Sequence, residues 1–317
     1  MLTAEQIKQR RLGIGGSDVA AIMGLSPWTT PLDVYLEKLG ESTDMVDDSV
    51  DTPIYWGNVL EDVVANEYAA RTGYKVQRRN EPRLHPSLSI ARANLDRIVV
   101  SHPDGPGVLE CKTAGRRSDD WGEPGTDEIP QYYLTQVVHY LAVTGYAWAD
   151  LAVLFLGDRQ FAVYHIRRDD ELIQSILDIE ESWWRDHVEA RVPPEPMSAD
   201  DLLKRWPRDT AGEVVASPAV EQSVIDLRAV RAEEKVIADR RNELEFGIKT
   251  AMADASVLVA PSGKPLVTWK AAKDSTRTDW KGLANNLLEK LPPDERDSAL
   301  AGFTFVSAGS RRFLLKK

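Results

Sequence analysis

The chain has almost no sulfur chemistry to offer. Of 317 residues one is cysteine, Cys111. That excludes an intramolecular disulfide, and it excludes a zinc or iron–sulfur centre built on several thiolates. Between Glu110 and Lys112 on a strand, Cys111 points away from both and reads as a small buried hydrophobe rather than a nucleophile. No apolar run approaches the roughly 20 residues that span a bilayer, so no membrane partner is expected. The histidines form no His-x-x-His or His-Glu-x-x-His pattern, which leaves a zinc peptidase unsupported. Gly13-Ile14-Gly15-Gly16 is not followed by Gly-Lys-Ser/Thr, so ATP use has no support either. Positive charge is also short. A net charge of -11 argues against simple coating of nucleic acid, although a local basic groove remains compatible with it. The opening Met1-Leu2-Thr3-Ala4-Glu5-Gln6-Ile7-Lys8 reads as a polar helix start and not as a signal peptide, so the cytosol is the expected compartment.

What is present is ordinary for a globular protein, 43% hydrophobic and 28% charged, and longer than one core usually takes. Val192-Pro193-Pro194-Glu195-Pro196 is the clearest punctuation. It predicts a first domain over residues 1–195 and a helical C-terminal extension with a small β segment over 196–317. In the first domain the pattern predicts helices over 4–11, 19–23, 32–39, 54–72, 129–144 and 170–191. Short strands are expected between Tyr74 and Thr113, a hairpin over 148–167, and an irregular acidic loop over 41–53. The 54–72 helix has its apolar side at Val59, Leu60, Val63, Val64, Tyr68 and Ala69. In the extension, Ser217 and Pro218 open a long charged helix over 217–254. A short hairpin over 256–270, a helix near 279–290 and a C-terminal strand over 303–315 follow. The order of elements describes an α/β (α+β) domain with a small mixed central sheet flanked by helices.

The chemistry concentrates in one hairpin. Asp96 lies among Leu95, Ile98, Val99 and Val100, and Glu110 and Lys112 share a face of the next strand. An Asp in an apolar strand is costly to bury unless it is paired or bound to metal. Two carboxylates and an ammonium so placed could hold Mg²⁺ and activate a water, the minimum needed to cut a phosphodiester. A buried ion-pair network is the rival reading. Glu61 lies early on the 54–72 helix, where an exposed glutamate is the simpler reading. Gln136 and His139 share a helix face at i, i+3, with helix surface and satisfied core as their simpler readings. Ser17, at a helix start after Arg10 and Arg11, is either an N-cap or an anion site. Arg71, Lys75, Arg78, Arg79, Arg83, Arg92, Arg97, Arg116 and Arg117 surround the hairpin in sequence, as solvated surface or as phosphate contacts.

These residues resemble a known family, the YqaJ-like viral recombinases, relatives of phage lambda exonuclease within the restriction-endonuclease-like PD-(D/E)xK nucleases. Five motifs in order carry the resemblance over about residues 8–190: the stretch from Arg11 to Trp28, Gly57-x-x-x-Glu61, Leu95-Asp96, Glu110-Cys111-Lys112 and Tyr132-x-x-x-Gln136. It implies a Mg²⁺-dependent, ATP-independent 5′→3′ exonuclease on double-stranded DNA ends, with Mn²⁺ expected to substitute. Its product would be a 3′ single-stranded tail for phage-type recombination. Asp96, Glu110, the Cys111 backbone carbonyl and Glu61 would hold metal. Lys112 would orient and help deprotonate the water, its pKa lowered where it is desolvated beside Mg²⁺, and Gln136 would support the site or contact the strand being cut. Ser17 with Arg11 or Arg10 would bind the 5′-phosphate. A ring-like trimer or tetramer, a single-strand annealing partner and a bacterial host cytoplasm are further implications. An endonuclease or repair nuclease of the same fold, and a non-catalytic DNA-end-binding protein, are the competing readings.

Overall fold

The computed structural model describes residues 8–42, 52–79, 81–306, 309 and 311–315. The acidic 43–51 stretch and most of the expected first helix lie outside them; residues 8–10 are helical. The chain divides into two compact units, one ending at Trp206 and one beginning at Pro207.

The first unit is built on a mixed five-stranded sheet in the order β1-β4-β5-β6-β7. Its strands are β1 (Val76–Gln77), β4 (Arg97–Val99), β5 (Gly107–Ala114), β6 (Trp148–Phe155) and β7 (Gln160–Arg167). The pair β5–β6 is parallel and the other neighbours are antiparallel. A parallel pair needs a long crossover, which helix α4 (Gln131–Thr144) supplies. Strands β2 (Arg83–Leu84) and β3 (Arg92–Ala93) form a separate small ribbon.

Two apolar layers sandwich the sheet. Helices α1 (Gly16–Ile22), α2 (Pro31–Leu39), α4 and α5 (Asp170–Trp183) bury Ile14, Val19, Leu32, Val137, Leu141 and Ile176 with the Val108, Leu151 and Val153 face. Helix α3 (Pro53–Thr72) covers the other face, where Val64, Ala65 and Tyr68 meet Leu109, Cys111, Trp148 and Ala152. Strand alternation explains the division, since neighbours along β5 go to opposite sides. Cys111 therefore packs under α3, as its position between Glu110 and Lys112 predicts, and burial followed by the charges of Asp96 and Glu110 pushes its thiol pKa up.

The apolar stripe expected along α3 is only partly a core face. Val59 and Val63 are exposed, and the buried set is Val64, Ala65 and Tyr68. Helix α5 ends at Trp183 and passes into a π-helical stretch, Trp184–Glu189.

Helix α6 (Ala199–Arg205) lies beyond the Pro-rich punctuation yet belongs to the first unit. Buried Asp201 accepts from Thr30 Oγ1 and from the Met197 N–H at 2.8 Å each, and Lys204 Nζ lies 2.7 Å from Asp33 Oδ1. The second unit contains α7 (Pro218–Met252), a hairpin of β8 (Val257–Val259) and β9 (Pro265–Thr268), α8 (Trp280–Glu289) and α9 (Pro293–Ala301). The C-terminal strand expected over 303–315 is not formed among its described residues, which carry no regular structure. Phe303 and Phe305 flank Thr304 as in a strand, but among the described residues no neighbouring strand pairs with them.

Candidate active site

In the β4–β5 pair Arg97 stands opposite Leu109 and Ile98 opposite Val108. Carrying that register one residue outward brings Asp96, just ahead of β4, beside Glu110. Asp96 Oδ2 accepts the Cys111 N–H at 2.9 Å. Glu110 is 2% exposed. Its Oε1 lies 2.6 Å from Lys112 Nζ and accepts from Gln136 Nε2 at 2.8 Å. Gln136 Nε2 also donates to Tyr140 Oη at 2.8 Å. The other oxygen, Glu110 Oε2, is buried and has no hydrogen-bond partner.

The electrostatics follow from crowding. Burial, then the nearby charge of Glu110, raises the Asp96 carboxyl well above the usual carboxylate range. For Lys112, burial pulls the ammonium down, but Glu110 and Asp96 outweigh it and the net shift is upward. The carboxylates reach Lys112 directly and hold its proton, whereas the lowering expected from the sequence belongs to a lysine beside bound Mg²⁺. An orphaned buried carboxylate oxygen beside a second carboxyl that resists ionising is a donor set of hard oxygens short of positive charge. That fits a divalent cation.

Glu61 acts on Asp96 through its charge, but its bonded partner is Arg97. Among the described residues no three of His, Cys, Asp and Glu come together as a metal cluster. The reason is strand parity. Arg97 follows Asp96 and so faces the α3 side, where its Nη1 donates to Glu61 Oε1 at 2.5 Å and to the Asp96 carbonyl at 2.5 Å, while Nη2 pairs with Asp62. Glu61 meets Arg97 on one face while Glu110 lies under Gln136 on the other. Arg97, counted by sequence among surface or phosphate arginines, is a buried strut between α3 and the hairpin. His139 is a satisfied core residue, 2.6 Å from Glu180 Oε1 through Nδ1 and 2.8 Å from the Arg92 carbonyl through Nε2.

A cavity of about 180 Å³ lies beside the group, lined among others by Arg10, Ser17, Asp18, Arg92, Asn94 and Tyr140. Gly16 makes this neighbourhood possible. A Cβ there would lie 2.5 Å from Tyr140 Cε1 and 3.0 Å from Gln136 Cγ, so only glycine lets α1 approach α4 this closely. Arg10 lines the cavity while its Nε bonds Glu37 Oε1 at 2.8 Å. Arg11 is directed elsewhere, its guanidinium lying against Gly40. Arg92 Nε is buried with no partner, and burial lowers the Arg92 pKa. Most other arginines of the basic run meet acids: Arg71 with Glu67, Arg78 with Glu61 and Asp62, Arg117 with Glu123. Sequence reasoning held Arg92 only as one of a run of arginines, surface or phosphate-facing, and missed Asn94 as a cavity residue. Their signal was the alternation 92, 94, 96 leading into Asp96.

An Asp ahead of one strand and Glu-x-Lys on the next, in a mixed sheet flanked by helices, defines the class: a restriction-endonuclease-like α/β core of the PD-(D/E)xK type. A family model for the YqaJ-like viral recombinase domain matches residues 6–147. The uncharacterized protein YqaJ of Bacillus subtilis (strain 168) is 35% identical over 259 residues, covering 79% of this chain and 78% of the relative. The chain belongs to the YqaJ-like viral recombinase family. Among solved structures, an alkaline exonuclease (LHK-Exo) from Laribacter hongkongensis aligns with TM-score 0.46 and 21% identity, over 64% of this chain and 97% of that one. A phage-related exonuclease from Haemophilus somnus 129PT aligns with TM-score 0.42 and 13% identity, over 59% and 99%. No helix among the described residues is long and apolar enough to cross a membrane.

Proposed function

We propose that this protein is a Mg²⁺-dependent, ATP-independent exonuclease that degrades double-stranded DNA from its 5′ ends and leaves 3′ single-stranded tails for recombination. The observation that carries the reading is Glu110. One of its oxygens is shared by Lys112 and Gln136, the other is buried and unpartnered, and the charge of the group reaches Asp96. Asp96, Glu110 and the Cys111 carbonyl would hold the cation, Mg²⁺ or Mn²⁺, whose charge would favour an in-line displacement at phosphorus. The Lys112 ammonium orients the attacking water and neutralises the approaching phosphate. It can accept a proton only once the charge of Glu110 and Asp96 is offset. Gln136 fixes the Glu110 carboxylate. Glu61, tied to Arg97 through Oε1, would support the hairpin and offer its other oxygen to the same cation or a second one.

Arg10, Ser17 and Arg92, whose Nε has no partner while its Nη1 bonds Gln9 Oε1 at 3.2 Å, suit a terminal 5′-phosphate, and of the two candidate arginines the cavity favours Arg10 over Arg11. A closed homo-oligomer would let an acidic protein present a basic lumen to a duplex, and the exposed tail would be open to an annealing protein.

Linear duplexes labelled at either end, with and without a 5′-phosphate, test the reading with Mg²⁺ and no ATP. The expected result is release of nucleotides from the 5′-phosphorylated strand, with closed circular DNA left intact. Nicking of the circle would turn the assignment to an endonuclease. No cleavage of any substrate, with end binding retained, would leave a DNA-end-binding protein.

A further inference from the structure

We propose that Trp28 is a stacking platform for a nucleobase of the strand being cut, an inference that rests on the nuclease reading of Asp96, Glu110 and Lys112. Trp28 lies in the loop between α1 and α2 and is 69% exposed. The loop is nonetheless tightly built. Pro27 restricts the backbone before it, and the N–H groups of Trp28 and Thr29 both donate to Ser26 Oγ, at 3.3 and 3.2 Å.

The indole stands edge-on to Tyr132 at 5.0 Å between ring centroids, and Tyr132 meets Tyr133 at 4.4 Å. Lys112 Nζ lies over the Tyr133 ring, 5.2 Å from its centroid. A file of aromatic rings thus runs from the lysine of the candidate site to an indole open to solvent.

Core packing does not account for the outer end of that file. Tyr133 turns inward onto Trp121, whereas Trp28 has ring contacts only with Tyr132 and Tyr133 among the described residues. Aromatic faces bind single-stranded nucleic acid through base stacking, and they do so with little sequence preference because every base has a π-face. An enzyme that advances one nucleotide at a time has to accept every base in turn. A phosphate drawn to Lys112 would bring the adjoining nucleotides within reach of the indole.

The test uses the full chain and a 5′-phosphorylated duplex carrying 2-aminopurine near that end. Its fluorescence is read in EDTA, where stacking is seen without cleavage, and steady-state rates follow with Mg²⁺. Trp28→Ala is expected to lose the quenching of 2-aminopurine and to raise KM by about ten-fold, with kcat changed much less. Trp28→Phe and Trp28→Tyr should retain most of both signals, which a merely structural role would not predict. Wild-type quenching and KM in Trp28→Ala would overturn the proposal, as would a Trp28→Phe variant as impaired as Trp28→Ala. A wild-type protein that cuts no DNA yet shows Trp28-dependent quenching would sink the nuclease reading and leave the stacking site standing.

Discussion

At Glu110 Oε1, two donors converge on one carboxylate oxygen, and each can be removed separately. Lys112→Ala takes away the only cation bonded to Glu110 among the described residues and is expected to lower cleavage by roughly 10²–10⁴-fold. The affinity for duplex ends should stay close to wild type, since Lys112 is one charge among several near the cavity. Rates on linear DNA beside a binding isotherm in EDTA check this, and wild-type cleavage by the variant would remove Lys112 from the mechanism. A second residue-scale prediction concerns Asp18. Its Oδ2 takes the buried Lys38 Nζ at 2.6 Å and the Gly15 N–H at 2.9 Å. Burial pushes the Asp18 carboxyl up, but Lys38 and then Arg10 outweigh it and hold it below the usual carboxylate range. A carboxyl depressed on folding contributes stability above its unfolded pKa and loses it as pH falls through the folded one. Asp18→Asn should therefore cost about 3–5 kcal/mol near neutral pH, because the buried Lys38 keeps only the Arg10 carbonyl at 3.0 Å and the longer 3.6 Å pairing with Glu37. Urea denaturation across the acid range should show a flatter pH dependence in the variant.

Helix α3 separates what periodicity can say from what it cannot. Its start at Pro53 after Thr52 and its end before Gly73 follow local rules, and both are legible. Which apolar side chains are buried depends on the width of the sheet beneath. Val63, 50% exposed, lies beyond that contact, while Tyr68 is fully inside and donates its hydroxyl to Asp150 Oδ2 at 2.5 Å. His165 Nδ1 bonds the other Asp150 oxygen at 2.7 Å. Val63→Ala should change stability by less than about 0.5 kcal/mol. Tyr68→Phe should cost about 1–3 kcal/mol, since it strips one partner from a buried carboxylate. Urea midpoints of the two variants decide it, and equal values would mean that the whole helix face packs. The same distinction governs the site. Asp96, Glu110 and Lys112 are legible because a period of two fixes which residues share a face. Glu61, Arg92 and Arg97 are not, because an arginine or a helical glutamate acquires its role only from what the tertiary fold sets across from it. The expected strand over 303–315 fails for a related reason, since alternation makes a strand only where a neighbour completes its hydrogen bonds.

For the molecule as a whole, the question is where the first unit stops: local punctuation puts the end at 195, and compactness puts it at Trp206. Pro193, Pro194 and Pro196 break helix continuity, but a break in local structure need not be a break in packing. The chain that follows returns to the α2 side. Asp201 is 1% exposed, and each of its oxygens accepts one hydrogen bond, from Thr30 Oγ1 and from the Met197 N–H. Lys204 adds an ion pair to Asp33; burial pushes the Asp33 carboxyl up, but Lys204 and Thr30 outweigh it and hold it below the usual carboxylate range. Thr30 and Asp33 cap α2, and α2 carries Lys38, the partner of Asp18 beside the cavity. A chain ending at Pro194 therefore loses the acceptor for Thr30 and the partner of Asp33, at the element that holds up the α1 side of the site. A chain ending at Trp206 keeps them all. The longer truncation is expected to unfold cooperatively, at a urea midpoint above that of the shorter one by an amount worth about 1–3 kcal/mol. Equal midpoints would mean that α6 adds nothing to the first unit and that the Pro-rich segment is its true end. Cleavage rate and solution mass of the Trp206 truncation, set beside the full chain, then report what the second unit contributes. A lighter assembly with an unchanged rate per chain would assign α7 to bracing subunits rather than to the chemistry.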